Sequence, residues 1–198
     1  MQGRLLVVAT GVDNGAAPHA FEHTIDRVAP LVVLPRFAEM KAAMARLASY
    51  RTIAMTSAHA VDALVGALRA LGHDVRALFG IQLAVVGAAT AARLERYGLS
   101  ADLVADGGGE KLAQEILASA CADPILYPRA ADGHPALVDA LTAAGRRIDP
   151  VAAYETRPDA AAIKTVLMKH AERPYAAFAF ASPKGVNAIS FRYFAFFP

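Results

Sequence analysis

The chain has 198 residues, 56% hydrophobic and 19% charged, with a formal net charge of +2 and no Trp. That is enough apolar material for one large or two small globular domains. The scattered basic residues, with Arg146 and Arg147 the only doublet, exclude the dense basic patch that nucleic acid requires.

Leu5 to Ala9 reads as a first strand. Leu31 to Leu34, framed by Pro30 and Pro35, reads as a strand or extended connector, and Ala38 to Ala48 as a helix with Met40, Met44 and Leu47 on one face. Thr52 to Met55 is a strand. Val61, Leu64, Val65, Leu68 and Leu71 then recur at helical spacing, and Gly72 ends that helix. Leu83 to Val86 is a strand, Ala88 to Tyr97 a helix capped by Gly98, and Asp102 to Ala105 a weak strand. Gly107, Gly108 and Gly109 form a loop. Glu110 to Ala120 is a helix, Pro124 to Tyr127 a strand, His134 to Ala144 a helix closed by Gly145, and Ile148 to Ala153 a strand. Glu155 to Pro158 reads as a linker, Ala160 to His170 as a helix and Tyr175 to Ala181 as a strand, with Pro183 opening a further helix. Alternating periods with short loops predict βαβ crossovers and a parallel sheet covered on both faces. The final unit holds too few elements for a sheet of its own, and its natural partner is the strand at Leu5 to Ala9.

The single Cys121 excludes an intrachain disulfide, and nothing near it in sequence makes it a nucleophile. No apolar run approaches the ~20 residues of a membrane span, and the N-terminus lacks the pattern of a secretory signal. The expectation is a cytoplasmic protein.

Two stretches share one grammar: Ile53 to Val61 and Phe178 to Val186. In each, an apolar run stops at a Ser, and small or polar residues lead into a helix. Such a turn offers backbone N–H groups and a hydroxyl to an anion. Thr56, Ser57 and Ala58 form the first, with Ser57 or Thr56 also suited to be a plain helix cap. Gly87, Ala88 and Thr90 repeat the arrangement one unit later, where Gly lets the backbone approach a ligand or simply suits a tight turn. Arg129 ends another strand at the same sheet edge, where a guanidinium would pair with a carboxylate or be solvated. Open α/β sheets bind ligands at this carboxyl edge. No dinucleotide fingerprint, Walker-type loop or nucleophile elbow is present. His19 and His23 are four apart but lack a third metal ligand nearby, so no metal is expected. His59, in the first turn of the helix after Thr52 to Met55, is the one His placed to matter. The acidic cluster that a receiver domain needs at its strand ends is replaced by Thr56, Gly87 and Arg129.

Five motifs in register, Thr56 to Val61, Val85 to Thr90 with Leu94 and Tyr97 to Leu99, Leu126 to Ala130, Ala152 to Thr156, and Ala181 to Val186, resemble the uroporphyrinogen-III synthase family in order and spacing from about residue 30 to 190. The resemblance implies two doubly wound, flavodoxin-like α/β domains joined by a two-stranded linker. A discontinuous terminal domain would comprise 1–32 and 155–198, and an inserted central domain 33–154. It implies closure of hydroxymethylbilane, a linear tetrapyrrole with eight carboxylates, to uroporphyrinogen III in haem biosynthesis. Water is lost to give an azafulvene, and the last ring is inverted through a spiro intermediate. No metal or organic cofactor is implied. Carried over by motif, Tyr154 would assist departure of the hydroxyl, while Thr56, Ser57, Gly87, Thr90, Ser182, Lys184 and Gly185 would hold carboxylates.

The chain departs from the family pattern at both ends. Thr10 follows the first strand without the usual Arg-Pro, and the aromatic run from Phe191 to Pro198 replaces the family's final elements. An incomplete terminal domain is therefore expected, with an open sheet edge capable of self-association. The alternative reading is a truncated, non-catalytic paralogue that binds a polycarboxylate or a protein partner.

Overall fold

The computed structural model describes residues 4–8, 24–180 and 185–189. Thr10, His19, His23, Ser182, Lys184 and the aromatic run from Phe191 lie outside the described residues. The chain divides into two compact units, Met1–Val33 with Thr156–Pro198, and Leu34–Glu155. It passes between them twice, both times within a strand.

The terminal unit opens with β1 (Arg4–Val8) and β2 (Thr24–Val28), paired in parallel from Arg4↔Thr24 to Val8↔Val28. The second of these strands was not expected, because its sequence carries only two apolar residues, Ile25 and Val28, and no alternation. Its pairing with β1 makes it a strand.

The central unit is entered through β3 (Leu31–Pro35), followed by α1 (Phe37–Met44) and a 3-10 turn at Leu47–Ser49. The single helix predicted from Ala38 to Ala48 is thus two pieces. Then come β4 (Thr52–Met55), α2 (Ala58–Ala70), β5 (Gln82–Val86), α3 (Gly87–Glu95), β6 (Leu103–Ala105), α4 (Gly109–Ala118), β7 (Ile125–Ala130), α5 (Ala136–Ala143) and β8 (Ile148–Pro158). The last strand continues through Glu155 to Pro158, where the sequence suggested a linker.

The six strands order as β3-β8-β7-β4-β5-β6, and the pairs from β8 to β6 are parallel. Numbered in chain order from β4, the five parallel strands read 3-2-1-4-5, a doubly wound order. The reversal of winding falls between β4 and β7, where open α/β sheets form a crevice beyond their carboxyl ends. The register makes the crevice explicit. The two strands pair only at Thr52↔Ile125 and Ile53↔Leu126. Past that point β7 pairs with β8 alone, so Pro128, which has no N–H, costs no bond to β4.

Both faces of the sheet are covered. Helices α4 and α5 bring Leu112, Ile116, Leu137 and Leu141 onto Ala54, Ala84, Ile125 and Tyr127. Ala54 and Ala84 are register partners, and their small side chains leave room for the helices. Ile53 and Met55 alternate to the opposite face and are fully buried, as are Leu64 and Leu68 of α2 and Leu94 of α3. Each such side chain contributes about 1.5–3 kcal/mol of burial. Within the Gly-rich loop, Gly107 has φ +145, and a Cβ on Gly109 would come within 3.3 Å of Leu137. Those glycines therefore serve the backbone turn and the close approach of α4 to α5.

The chain returns to the terminal unit with α6 (Ala160–Glu172) and β9 (Ala177–Phe180). Asp159 caps α6, accepting from the N–H groups of Ala161 and Ala162 at 3.0 Å each. The last strand pairs in parallel with β1, giving the order β2-β1-β9. That is the partnership the sequence suggested. Leu6, Val166, Tyr175 and Ile189 form its core with Val28 and Phe178.

Candidate functional site

The β4–β7 crevice collects hydroxyl groups. Strand β4 ends at Met55, and Thr56 and Ser57 follow it directly. Ser57 has extended backbone (φ −158°, ψ 153°) and caps α2, its Oγ accepting the Ala60 N–H at 3.2 Å. The same oxygen also lies 2.7 Å from the phenol oxygen of Tyr154, so capping is not its sole contact. Thr56 Oγ1 lies 3.2 Å from the phenol oxygen of Tyr127. Two hydroxyl–phenol pairs thus span the switch point, one to β7 and one to β8. Ala58 begins α2 and is buried.

Tyr154 depends on an irregularity in β8. Arg129 faces Ala152, but Ala130 faces Tyr154, so one residue of β8 is extra. Without this bulge Ala153 would stand opposite Ala130 and Tyr154 would turn to the other side of the sheet. The Tyr154 ring is buried and packs edge-on against His59, with centroids 5.7 Å apart. Burial pushes its phenol pKa up, the hydrogen bond with Ser57 pulls it back, and Tyr127 and Asp132 add to the rise. The phenol is consequently protonated and a hydrogen-bond donor at neutral pH.

Next to this turn, β5 leads into α3 through Gly87. Its φ is +74°, a conformation that disfavours any side chain, and the space over its Cα is open. Val86 is the cap and supplies no side-chain hydrogen bond, so the first N–H groups of α3 receive none from a capping side chain. Ala88 is exposed and Thr90 is buried in the first turn.

Arg129 stands at the end of β7, half-buried. Its guanidinium lies over the Tyr127 ring at 5.9 Å and folds back on its own loop. Nε donates to Ala130 O at 3.3 Å and Nη2 to Gly133 O. Gly133 makes room for it, since a Cβ there would meet Arg129 Nε at 3.2 Å.

Gly185 belongs to the terminal unit, where it is buried at the start of a short helical turn over residues 185–189. Reading the sequence missed Tyr127. The available signal was its position two residues before Arg129 on one strand face. Among the described residues, no group of three His, Cys, Asp or Glu is placed to hold a metal ion. No helix of the described residues is long and apolar enough to cross a membrane.

Residues 26–191 match the family model described as uroporphyrinogen-III synthase HemD. No curated protein sequence matches the chain. Among solved structures, a mutant uroporphyrinogen III synthase from the extremely thermophilic bacterium Thermus thermophilus is similar with a TM-score of 0.62 at 20% identity, over 93% of this chain and 75% of that one. The wild-type protein from the same source gives 0.56 at 22% identity over the same shares. A uroporphyrinogen-III synthetase from Helicobacter pylori gives 0.55 at 14% identity, over 99% of this chain and all of that one. At these identities the structural likeness speaks for the α/β fold.

Proposed function

The chain belongs to the uroporphyrinogen-III synthase family, and from that premise we propose that this protein itself closes hydroxymethylbilane to uroporphyrinogen III, with loss of water and inversion of the last ring. The observation that carries the assignment of the site is the Ser57–Tyr154 hydroxyl pair at the β4–β7 switch point. A hydroxymethyl group leaves a pyrrole readily once its oxygen is offered a proton, because the ring nitrogen supplies electrons to the breaking C–O bond. A protonated, buried phenol hydrogen-bonded to a serine is suited to assist that departure, and Tyr154 is assigned this part. The azafulvene formed needs no further strong acid or base. What it needs is the last ring held so that its substituted carbon attacks first, a matter of positioning.

The carboxylates of the substrate suit the groups present. The uncapped first turn of α3, from Gly87 and Ala88 to Thr90, offers backbone N–H groups to an anion. Thr56, Ser57 and Ala58 offer hydroxyls and the start of α2. Arg129 retains Nη1, which makes no hydrogen bond within the described residues. Ser182, Lys184 and Gly185 are proposed to do the same from the terminal unit on the strength of the family motif. The central domain is taken as residues 33–154 and the terminal one as 1–32 with 155–198, joined by two strands.

The experiment is incubation with freshly prepared hydroxymethylbilane, oxidation of the product and separation of the isomers. The type III isomer is expected to dominate. Product consisting only of the spontaneous type I isomer would overturn the proposal.

A further inference from the structure

The hydrogen bonds around Ser57 distinguish two ways of using the pair. A serine hydroxyl has one proton to give and two lone pairs to receive. Among the described residues, two partners reach Ser57 Oγ: the Ala60 N–H, which can only donate, and the Tyr154 hydroxyl, which can do either. If Ser57 donated to Tyr154, the phenol proton would need an acceptor elsewhere. Among the described residues the Tyr154 hydroxyl has no hydrogen-bond partner other than Ser57. Tyr154 is 6% exposed, so that proton would be left largely buried and unsatisfied. If Tyr154 donates to Ser57 instead, both lone pairs of Ser57 are filled and its own proton is left over. Ser57 is the more accessible of the two, half-buried at the mouth of α2.

We infer that Ser57 is the group that hydrogen-bonds the departing hydroxyl of the substrate, and that Tyr154 is a positioning residue acting through it. This rests on the reading of the protein as a synthase in which Tyr154 assists loss of water. The step balances within the pair and the substrate. The C–O bond breaks with its electrons on oxygen, as the pyrrole nitrogen donates through the ring to form the exocyclic C=C bond. The oxygen takes the Ser57 proton and leaves as water, while Tyr154 keeps its own proton in the hydrogen bond to Ser57. The pyrrole N–H, acidic in the azafulvenium ion, gives its proton back to Ser57 through the departing water, leaving neutral azafulvene. His59 packs edge-on against the Tyr154 ring.

The test uses the full chain and hydroxymethylbilane, with kcat, KM and the solvent deuterium isotope effect on kcat as readouts. Ser57→Gly removes the hydroxyl while retaining a residue tolerated at a helix cap, so the fold survives. It should lower kcat at least tenfold with KM little changed, and Ser57→Thr should restore most of the rate. In the Ser57→Gly background, adding Tyr154→Phe should change kcat less than twofold, and the isotope effect of the native enzyme should be gone in both. If Tyr154→Phe slows the enzyme equally with and without the Ser57 hydroxyl, Tyr154 acts directly and the inference is overturned. If Tyr154→Phe leaves the native rate unchanged, the assignment of Tyr154 itself fails, whatever Ser57 does.

Discussion

Two turns stand side by side at the carboxyl ends of β4 and β5, where Met55 and Val85 are register partners. Both join an apolar strand to a helix through small residues, and they solve the helix start in opposite ways. After β4, Ser57 supplies a side-chain oxygen to the first turn and shares it with Tyr154. After β5, Gly87 supplies only a backbone conformation, and Val86 makes no cap. A capped turn has a hydroxyl to spend on chemistry. An uncapped one leaves donors for an anion. On the proposed reading, one crevice divides between a reacting corner and a holding corner.

The largest break in this contrast would come from Gly87→Val. A β-branched residue at φ +74° is strained by about 1–3 kcal/mol, and its side chain would stand over the N–H groups of α3. Thermal unfolding should fall accordingly, and KM should rise by more than kcat falls. Tyr154→Phe should do the reverse. A loss in kcat of about ten- to a hundredfold, or roughly 1.4–2.7 kcal/mol in the barrier, is expected with KM held, as steady-state kinetics would show. Stability sharpens the comparison further. Ser57→Ala should cost about 1 kcal/mol as a lost cap, and Ser57→Gly only a few tenths, measured by denaturant titration. An equal cost for the two would mean that Ser57 does not cap α2.

The smallest expected effect is on alkaline stability. The Tyr154 phenol is raised above its ordinary value by burial. The folded state therefore holds its proton longer than the unfolded chain, and the stability this contributes is fully present below about pH 10. It is lost as pH rises through the higher folded value. Tyr154→Phe should flatten that part of the curve, whereas Gly87→Ala should leave its shape unaltered. Tyr50, pushed up to about 12 by burial and its hydrogen bond to Asp149, and Tyr97, raised by burial and its hydrogen bond to Asp62, give the same sign and are the background to subtract.

What sequence reading captured, and what it missed, follows from how local each cause is. The helix α2 was plain because Val61, Leu64, Val65 and Leu68 repeat at helical spacing, and all four are buried. Gly87 was legible as a turn glycine. That Ser57 meets Tyr154 was not, because the two are 97 residues apart and are brought together by sheet order and a bulge. A one-residue slip in register leaves no mark on composition or period. Strand β7 was read too short because Pro128 ends most strands. It is tolerated here only because β4 has already parted from β7. Strand β2 exists through its partner β1, and its own residues do not announce it.

The adjacency of β3 and β8 has a consequence for the polymer. On the central side of the boundary, the Arg36 N–H reaches Ala153 O at 2.9 Å; on the terminal side, the Asp159 N–H reaches Pro30 O at 2.7 Å. The point where the chain departs and the point where it returns are thus held together at both of these places. A long excursion ordinarily costs entropy that grows with the logarithm of its length. Here, folding of Leu34–Glu155 closes that excursion itself, and the terminal unit then meets two ends already brought together, as though joined by a short hairpin. The central unit is in this sense a cassette. It can lengthen or shorten its own loops without changing the distance its neighbour has to bridge.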